Sequence, residues 1–179
     1  MKALHQTLLL IASLAVFVML NGCASPADRG AMMPTALAIS KHFPYSVGVR
    51  TGGGSDTDAV GRSDITDADL QGAIEDSIRN SRLFTAVVQS GSGDYELSVN
   101  ITRWDKPVFG GTFTVQLETA WSLVKVADRS VVFRKAVQSS GTATMGDAFA
   151  AVTRLRLAVE AAARDNISQG LAAIAELNL

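Results

Sequence analysis

Tyr95-Glu-Leu-Ser-Val-Asn-Ile-Thr-Arg-Trp104 decides the fold. Tyr95, Leu97, Val99 and Ile101 fall on one side, Glu96, Ser98, Asn100 and Thr102 on the other, which is the period of two of a half-buried strand. On that count Trp104 belongs to the polar register and faces away from Tyr95 and Leu97. Asp105-Lys106-Pro107 and Gly110-Gly111 then bend the chain. Thr112 to Val126 alternates again, with Phe113, Val115, Leu117, Thr119, Trp121 and Leu123 sharing a face against Thr114, Gln116, Glu118 and Ser122. Asp128-Arg129-Ser130 makes a tight turn, and Val131 to Ser139 pairs back. Three such strands form an antiparallel meander with one apolar and one wet face.

Upstream, Tyr45 to Arg50 is a further strand, followed by a glycine-rich acidic stretch, residues 51–61, expected as a surface loop. It lacks the Gly-Lys-Ser/Thr and G-x-G-x-x-G patterns of phosphate sites, and its aspartates would repel a phosphate. It also lacks the spaced ligands and terminal Glu of a calcium loop. Thr66 is placed to cap a helix over about Asp67 to Asn80, with Asp67 and Asp69 favouring its dipole and Leu70, Ala73, Ile74, Ser77 and Ile78 at helical spacing. Thr85 to Gln89 is a short strand.

Downstream, residues 141–147 read as a link, and Ala148 to about Leu177 as one long helix with Asp147 as its cap. Its apolar stripe runs Phe149, Val152, Leu155, Val159, Ala162, Ala163, Ile167, Leu171 and Ile174. Glu160 and Arg164 lie off the stripe at i,i+4 spacing, where they favour each other. The whole is expected to be an α+β domain over residues 45–179: a four- or five-stranded, mainly antiparallel sheet with both helices on one face.

The opening of the chain has a different character. Lys2 precedes an apolar run of 13 residues, Leu8 to Leu20, then Asn21, Gly22 and Cys23. That is the layout of a secretory signal peptide, and the run is short of the about 20 residues of a membrane span. Cys23 is the only cysteine of the 179-residue chain. Residues 1–22 are therefore read as a leader, and residues 23–44, with three prolines, as a tether in which Met32, Met33, Leu37 and Ile39 can pack locally. Lys2 leaves with the leader, so 15 basic residues face 17 acidic ones, a net charge of −2. A balance so close to neutral, with scattered arginines, argues against a nucleic-acid partner.

No constellation in the sequence calls for catalysis or a metal. His42 is the one histidine after the leader, which leaves no base for the common nucleophiles and no zinc set. The carboxylate pairs Asp64/Asp67 and Asp94/Glu96 flank a helix start and a turn, where solvated acids are routine. Two features carry more interest. Trp104 and Phe109 bracket a turn stiffened by Pro107, and serve either as a partner contact or as a seal over the end of the core. Arg154 and Arg156, beside Thr153, offer contact to an anionic head group or simply a solvated helix face.

Leu20-Asn21-Gly22-Cys23 resembles the bacterial lipobox, which implies a mature chain starting at a lipidated Cys23. The covalent lipid is then the only attached group, and two or more acyl chains anchor stably where one does not. The layout of YELSVNITRW, FTVQLETAWSLV and VVFRKAV before a long last helix resembles the ABC-type transport auxiliary lipoproteins and, more distantly, the lipopolysaccharide-assembly lipoproteins. GTATMGDAFAAVTRLRLAVEAAARDNI is similar to a set of uncharacterised lipoproteins. The resemblance implies a sheet packed by two helices and a noncatalytic part in lipid transport or assembly, with no site residue to transfer. Ala24, where inner-membrane retention favours Asp, points to the periplasmic face of an outer membrane for a Gram-negative source. The expected role is an accessory or adaptor in envelope maintenance, with membrane, another envelope protein and lipid as partners. The alternative is a subunit of a secretion or pore-like oligomer that pairs through its strand edges.

Overall fold

The computed structural model describes residues 25–56 and 64–179. The leader and Cys23 lie outside them, as does the second part of the glycine-rich stretch. Along the chain run β1 (Phe43–Gly52), α1 (Asp67–Ser81), β2 (Phe84–Val88), β3 (Tyr95–Asp105), β4 (Phe113–Lys125), β5 (Val131–Ala143) and α2 (Ala151–Ala175). The fold is α+β, a five-stranded sheet in the order β2-β1-β3-β4-β5 carrying both helices. β3, β4 and β5 form the antiparallel meander, whereas β1 runs parallel to both of its neighbours. The parallel pairing of β1 with β2 follows from connection length. α1 carries the chain across the sheet between β1 and β2, a crossover that returns the next strand in the same direction.

Alternation in the meander places side chains as the pattern requires. Tyr95, Leu97 and Val99 oppose Lys125, Leu123 and Trp121, and they share one continuous core with Val47, Val49, Phe113, Val115, Leu117 and Val137. On the other face Thr114, Gln116, Gln138, Ser140 and Thr142 stand in solvent. The register changes once in β3. Ile101 pairs with Thr119, but Arg103 pairs with Glu118 and Trp104 with Leu117, so Thr102 is the extra residue of a bulge. One inserted residue moves everything after it to the opposite face. Trp104 therefore lies on the core side, not on the polar register that simple alternation assigns to it.

α1 begins as expected, with the Thr66 hydroxyl accepting from the Asp69 amide at 3.0 Å. α2 does not begin at Ala148, and Asp147 is not its cap. Its first residue is Ala151, after Ala150, which offers no side-chain cap. Asp147 instead closes a turn, taking the Thr144 amide at 2.7 Å and hydroxyl at 2.8 Å. β5 also runs further than alternation implies, because Gly141 pairs with Val115 directly beneath α2. A Cβ at Gly141 would lie 2.2 Å from the Ala158 carbonyl oxygen and 2.3 Å from the Ala162 nitrogen, so the missing side chain lets helix and strand backbones touch.

Leu155, Val159, Ile167, Leu171 and Ile174 seal α2 to the sheet. Each fully buried side chain of this kind contributes about 1.5–3 kcal/mol. Between them sits one polar group, Asn166. Its Oδ1 accepts from the Thr119 hydroxyl (2.6 Å) and the Trp121 indole N–H (3.1 Å). Its Nδ2 donates to the Val137 carbonyl and the Ser139 hydroxyl, both at 3.1 Å.

The segment ahead of β1, read as a tether, lies against the domain from Ala27 onward. Ala27 and Met32 are buried. The Asp28 amide donates to Glu160 (3.0 Å), Arg29 to Asp76 (2.8 Å), and Arg164 to the Ala31 carbonyl (2.6 Å). Residues 27–31 thus strap α2 to α1. The strap also buries Glu160, whose ionic neighbour is Arg156 at 3.6 Å, one turn before it, and not Arg164. The glycine-rich stretch is likewise tied at its start: Gly54 donates to Asp67 at 2.8 Å and Ser55 to the Ile65 carbonyl at 3.0 Å.

Candidate functional site

β1, β3 and β5 end at the same edge of the molecule at which β4 begins, and the singled-out residues gather there. Trp104 and Phe109 separate. The bulge turns Trp104 into a cavity of about 90 Å³ lined also by Gly53, Gly54, Ser55, Asp64, Ile65 and Ile101. The Lys106 ammonium lies 5.2 Å from its ring centre and pairs with Asp64. Trp104 closes the end of the core. Phe109 does not, being 87% exposed beside Val108 at 79%.

Arg154 and Arg156 also part company. Two residues apart on a helix they point about 200° from each other, so they form no joint cradle. Arg156 leans along α2 toward Glu160. Arg154 is buried and works as a clasp. Its guanidinium donates to the carbonyls of Ala148 (2.9 Å) and Phe149 (2.5 Å) on one segment and of Gly110 (3.2 Å) on the other. Its flat face lies 5.3 Å from the Phe113 ring centre. A guanidinium suits this task because its fork of donors is rigid and its charge strengthens each bond to a carbonyl.

The clasp holds the 106–111 hairpin tip against the turn at 144–149. A Cβ on Gly111 would sit 3.4 Å from the Met145 sulfur. The joined segments hold out Val108, Phe109, Met145 (56% exposed) and Phe149 (87%). Phe149 therefore does not belong to the buried stripe of α2: the helix starts two residues beyond it. Its neighbours Gly146 and Asp147 were the available sign that a turn precedes the helix. The Thr144 amide, and after it the Thr144 hydroxyl, hold the Asp147 carboxyl below its usual range. Sequence reasoning missed Met145 and Phe149 as surface groups, since a long apolar period naturally absorbs a phenylalanine.

Elsewhere the chain offers less. A cleft of about 520 Å³ runs along β2, with His42, Arg79 and Arg82 on its wall. Arg79 is held by Glu75 and Asp76, and His42 Nδ1 sits 2.6 Å from the Arg82 carbonyl oxygen. Among the described residues no cluster of His, Cys, Asp and Glu could hold a metal ion, and no helix is long and apolar enough to cross a membrane.

No protein-family model and no curated protein sequence matches the chain. Solved structures do. Protein XCC0632 from Xanthomonas campestris, of the DUF330 family model, superposes with a TM-score of 0.61 at 14% identity, over 84% of this chain and 93% of its own. Protein CT253 from Chlamydia trachomatis gives 0.55 at 6% identity, over 74% and 96%. A dodecamer of PelC from Paraburkholderia phytofirmans gives 0.48 at 14% identity, over 70% and 84%. The first two share this fold over nearly all of their own length.

Proposed function

We propose that this chain is a noncatalytic, lipid-anchored lipoprotein of the bacterial envelope. It sits on the periplasmic face of an outer membrane and acts as an accessory or adaptor in envelope maintenance or lipid transport. Leu20–Cys23 supplies the address, and Ala24 favours the outer membrane. The observation that carries the reading is how soon the fold starts after that address. The Ala27 amide is already bonded to the Asp64 carbonyl at 3.1 Å, so lipid on Cys23 holds the whole domain against the bilayer. The polar sheet face is left open to the periplasm, with Gln116, Gln138 and Thr142 in solvent, for a protein partner.

Two measurements test this. Cys23→Ser should release the protein or leave it unprocessed, and normal processing with membrane retention would remove the anchor. Capture from native membranes should bring down one envelope protein together with lipid; capture of neither would remove the adaptor role. A second reading, a subunit of an envelope oligomer, has one feature in its favour. Among the described residues β5 forms a sheet edge of 13 residues with no strand on its outer side. A detergent-solubilised mass of several protomers would favour it over the adaptor.

A further inference from the structure

We infer that the clasped tip formed by Val108, Phe109, Met145 and Phe149 is a membrane-inserting wedge, which seats the anchored domain upright on the bilayer. The inference rests on the anchor reading above and says what the anchor alone leaves open, namely which surface meets the lipid. The first support is position. Ala27 is the fourth residue after Cys23, a reach of no more than about 14 Å at full extension. Ala27 is bonded to Asp64, Asp64 is paired with Lys106, and Lys106 stands two residues before Val108. The chain therefore leaves the domain at the very end that carries the tip. A leash that short keeps this end at the lipid surface.

The second support is the make-up of the tip. A soluble surface scatters its apolar groups singly, and two phenylalanines, a valine and a methionine held out from two joined segments mark a contact. Aromatic and aliphatic side chains of this kind settle about 5–10 Å into the boundary between head groups and acyl chains. The clasp serves that task in a specific way. Backbone carbonyls entering lipid need partners, and the carbonyls of Gly110, Ala148 and Phe149 are already taken by Arg154. The ammonium of Lys106 and the carboxylate of Asp64 neutralise each other just behind the tip. Among the described residues the tip carries no basic cluster, so insertion is driven by apolar area and needs neither anionic lipid nor low salt.

The sole cysteine carries the lipid in this reading, so an introduced cysteine can be labelled alone. Membrane-purified lipidated protein bearing Phe109→Cys, Phe149→Cys or Lys125→Cys, each with an environment-sensitive fluorophore, is placed in vesicles of phosphatidylethanolamine with a minority of phosphatidylglycerol. Lys125 is exposed at the far end of β4, about 40 Å from the tip. Nitroxide-bearing lipids should quench the probes at 109 and 149 at least about threefold more than the probe at 125, as expected for groups at interfacial depth. The contrast should survive high salt and removal of the phosphatidylglycerol. Equal quenching at all three positions overturns the wedge. So does protection of 109 and 149 only in native membranes, which would assign the tip to a protein partner. Intact mass of the same preparations reports separately on the lipid at Cys23, so loss of the anchor and loss of the wedge are told apart.

Discussion

Asn166 and Arg154 are twelve residues apart on one helix, and both are polar side chains shut between that helix and the sheet. They do opposite things. Asn166 lies mid-helix, where its four hydrogen-bonding positions are all used by side chains and one carbonyl of β4 and β5. Such a group fixes which residues of helix and sheet face each other, because any slip leaves it unsatisfied in a medium of low polarity. Arg154 lies at the helix start, and its partners are carbonyls of two loops. It fixes nothing in the middle of the core; it decides how a surface is displayed. A buried polar group is thus read by what its partners belong to. Strand partners mean register, and loop partners mean presentation.

The close approach that lets Asn166 reach the sheet is the place to break the comparison hardest. Gly141→Ala puts a methyl against the α2 backbone at Ala158 and Ala162, one turn apart on the same face. The helix must lift, at a cost of about 3 kcal/mol or more, and thermal unfolding should show it. Asn166→Leu keeps the branched shape but takes the acceptor from the Thr119 hydroxyl proton and the donor from the Val137 carbonyl. It should lower stability by about 2–3 kcal/mol in chemical denaturation while leaving the tip as resistant to protease as before. Arg154→Met should do the reverse. A loss of about 1–2 kcal/mol should come with preferential cleavage in 107–110 and 145–149, whereas Arg156→Met, which takes the ionic neighbour from the buried Glu160, should leave both loops protected. Equal protease sensitivity in the Asn166 and Arg154 variants would end the distinction between register and presentation.

The smallest effect concerns acid. The Asp147 carboxyl titrates below its unfolded value because the Thr144 amide and hydroxyl bond to its charged form. A lowered folded pKa means that its stabilisation is complete above the ordinary carboxylate pKa and fades as pH falls through the lower, folded value. Between neutral pH and mildly acidic conditions the turn at 144–147 should stay closed, and it should loosen only in strong acid. Amide exchange of Thr144 against pH reports this directly, and Asp147→Asn should abolish the acid dependence.

The sequence makes the meander plain because one buried face imposes a period of two that nothing local disturbs. It makes α1 plain because Thr66, Asp67 and Asp69 carry its start. The bulge at Thr102 has no local sign: Thr102-Arg103-Trp104 looks the same whether or not one residue is inserted, and only the opposing Glu118 and Leu117 settle the register. The same limit hid the strap. Asp28, Arg29 and Ala31 find partners more than 40 residues away, at Glu160, Asp76 and Arg164, and no spacing along the chain announces such pairs. At the candidate site, Phe109 and Arg154 were visible as residue types. That they belong to one assembly with Phe149 was not, because a carbonyl acceptor has no letter in a sequence.

The strap has a mechanical meaning as well. A pull on the chain ahead of Ala27 first meets the hydrogen bond from the Ala27 N–H to the Asp64 carbonyl, then Asp28 on Glu160, Arg29 on Asp76 and Ala31 on Arg164, one after another. Bonds loaded in sequence give way one at a time, as in peeling, and not together as in shear. Only when residues 27–42 have come free does tension reach β1, which lies between β2 and β3. Those 16 residues pay out about 55 Å of extended chain while the sheet and both helices stay intact. A leash held short at rest thus stores length, and releases it under load.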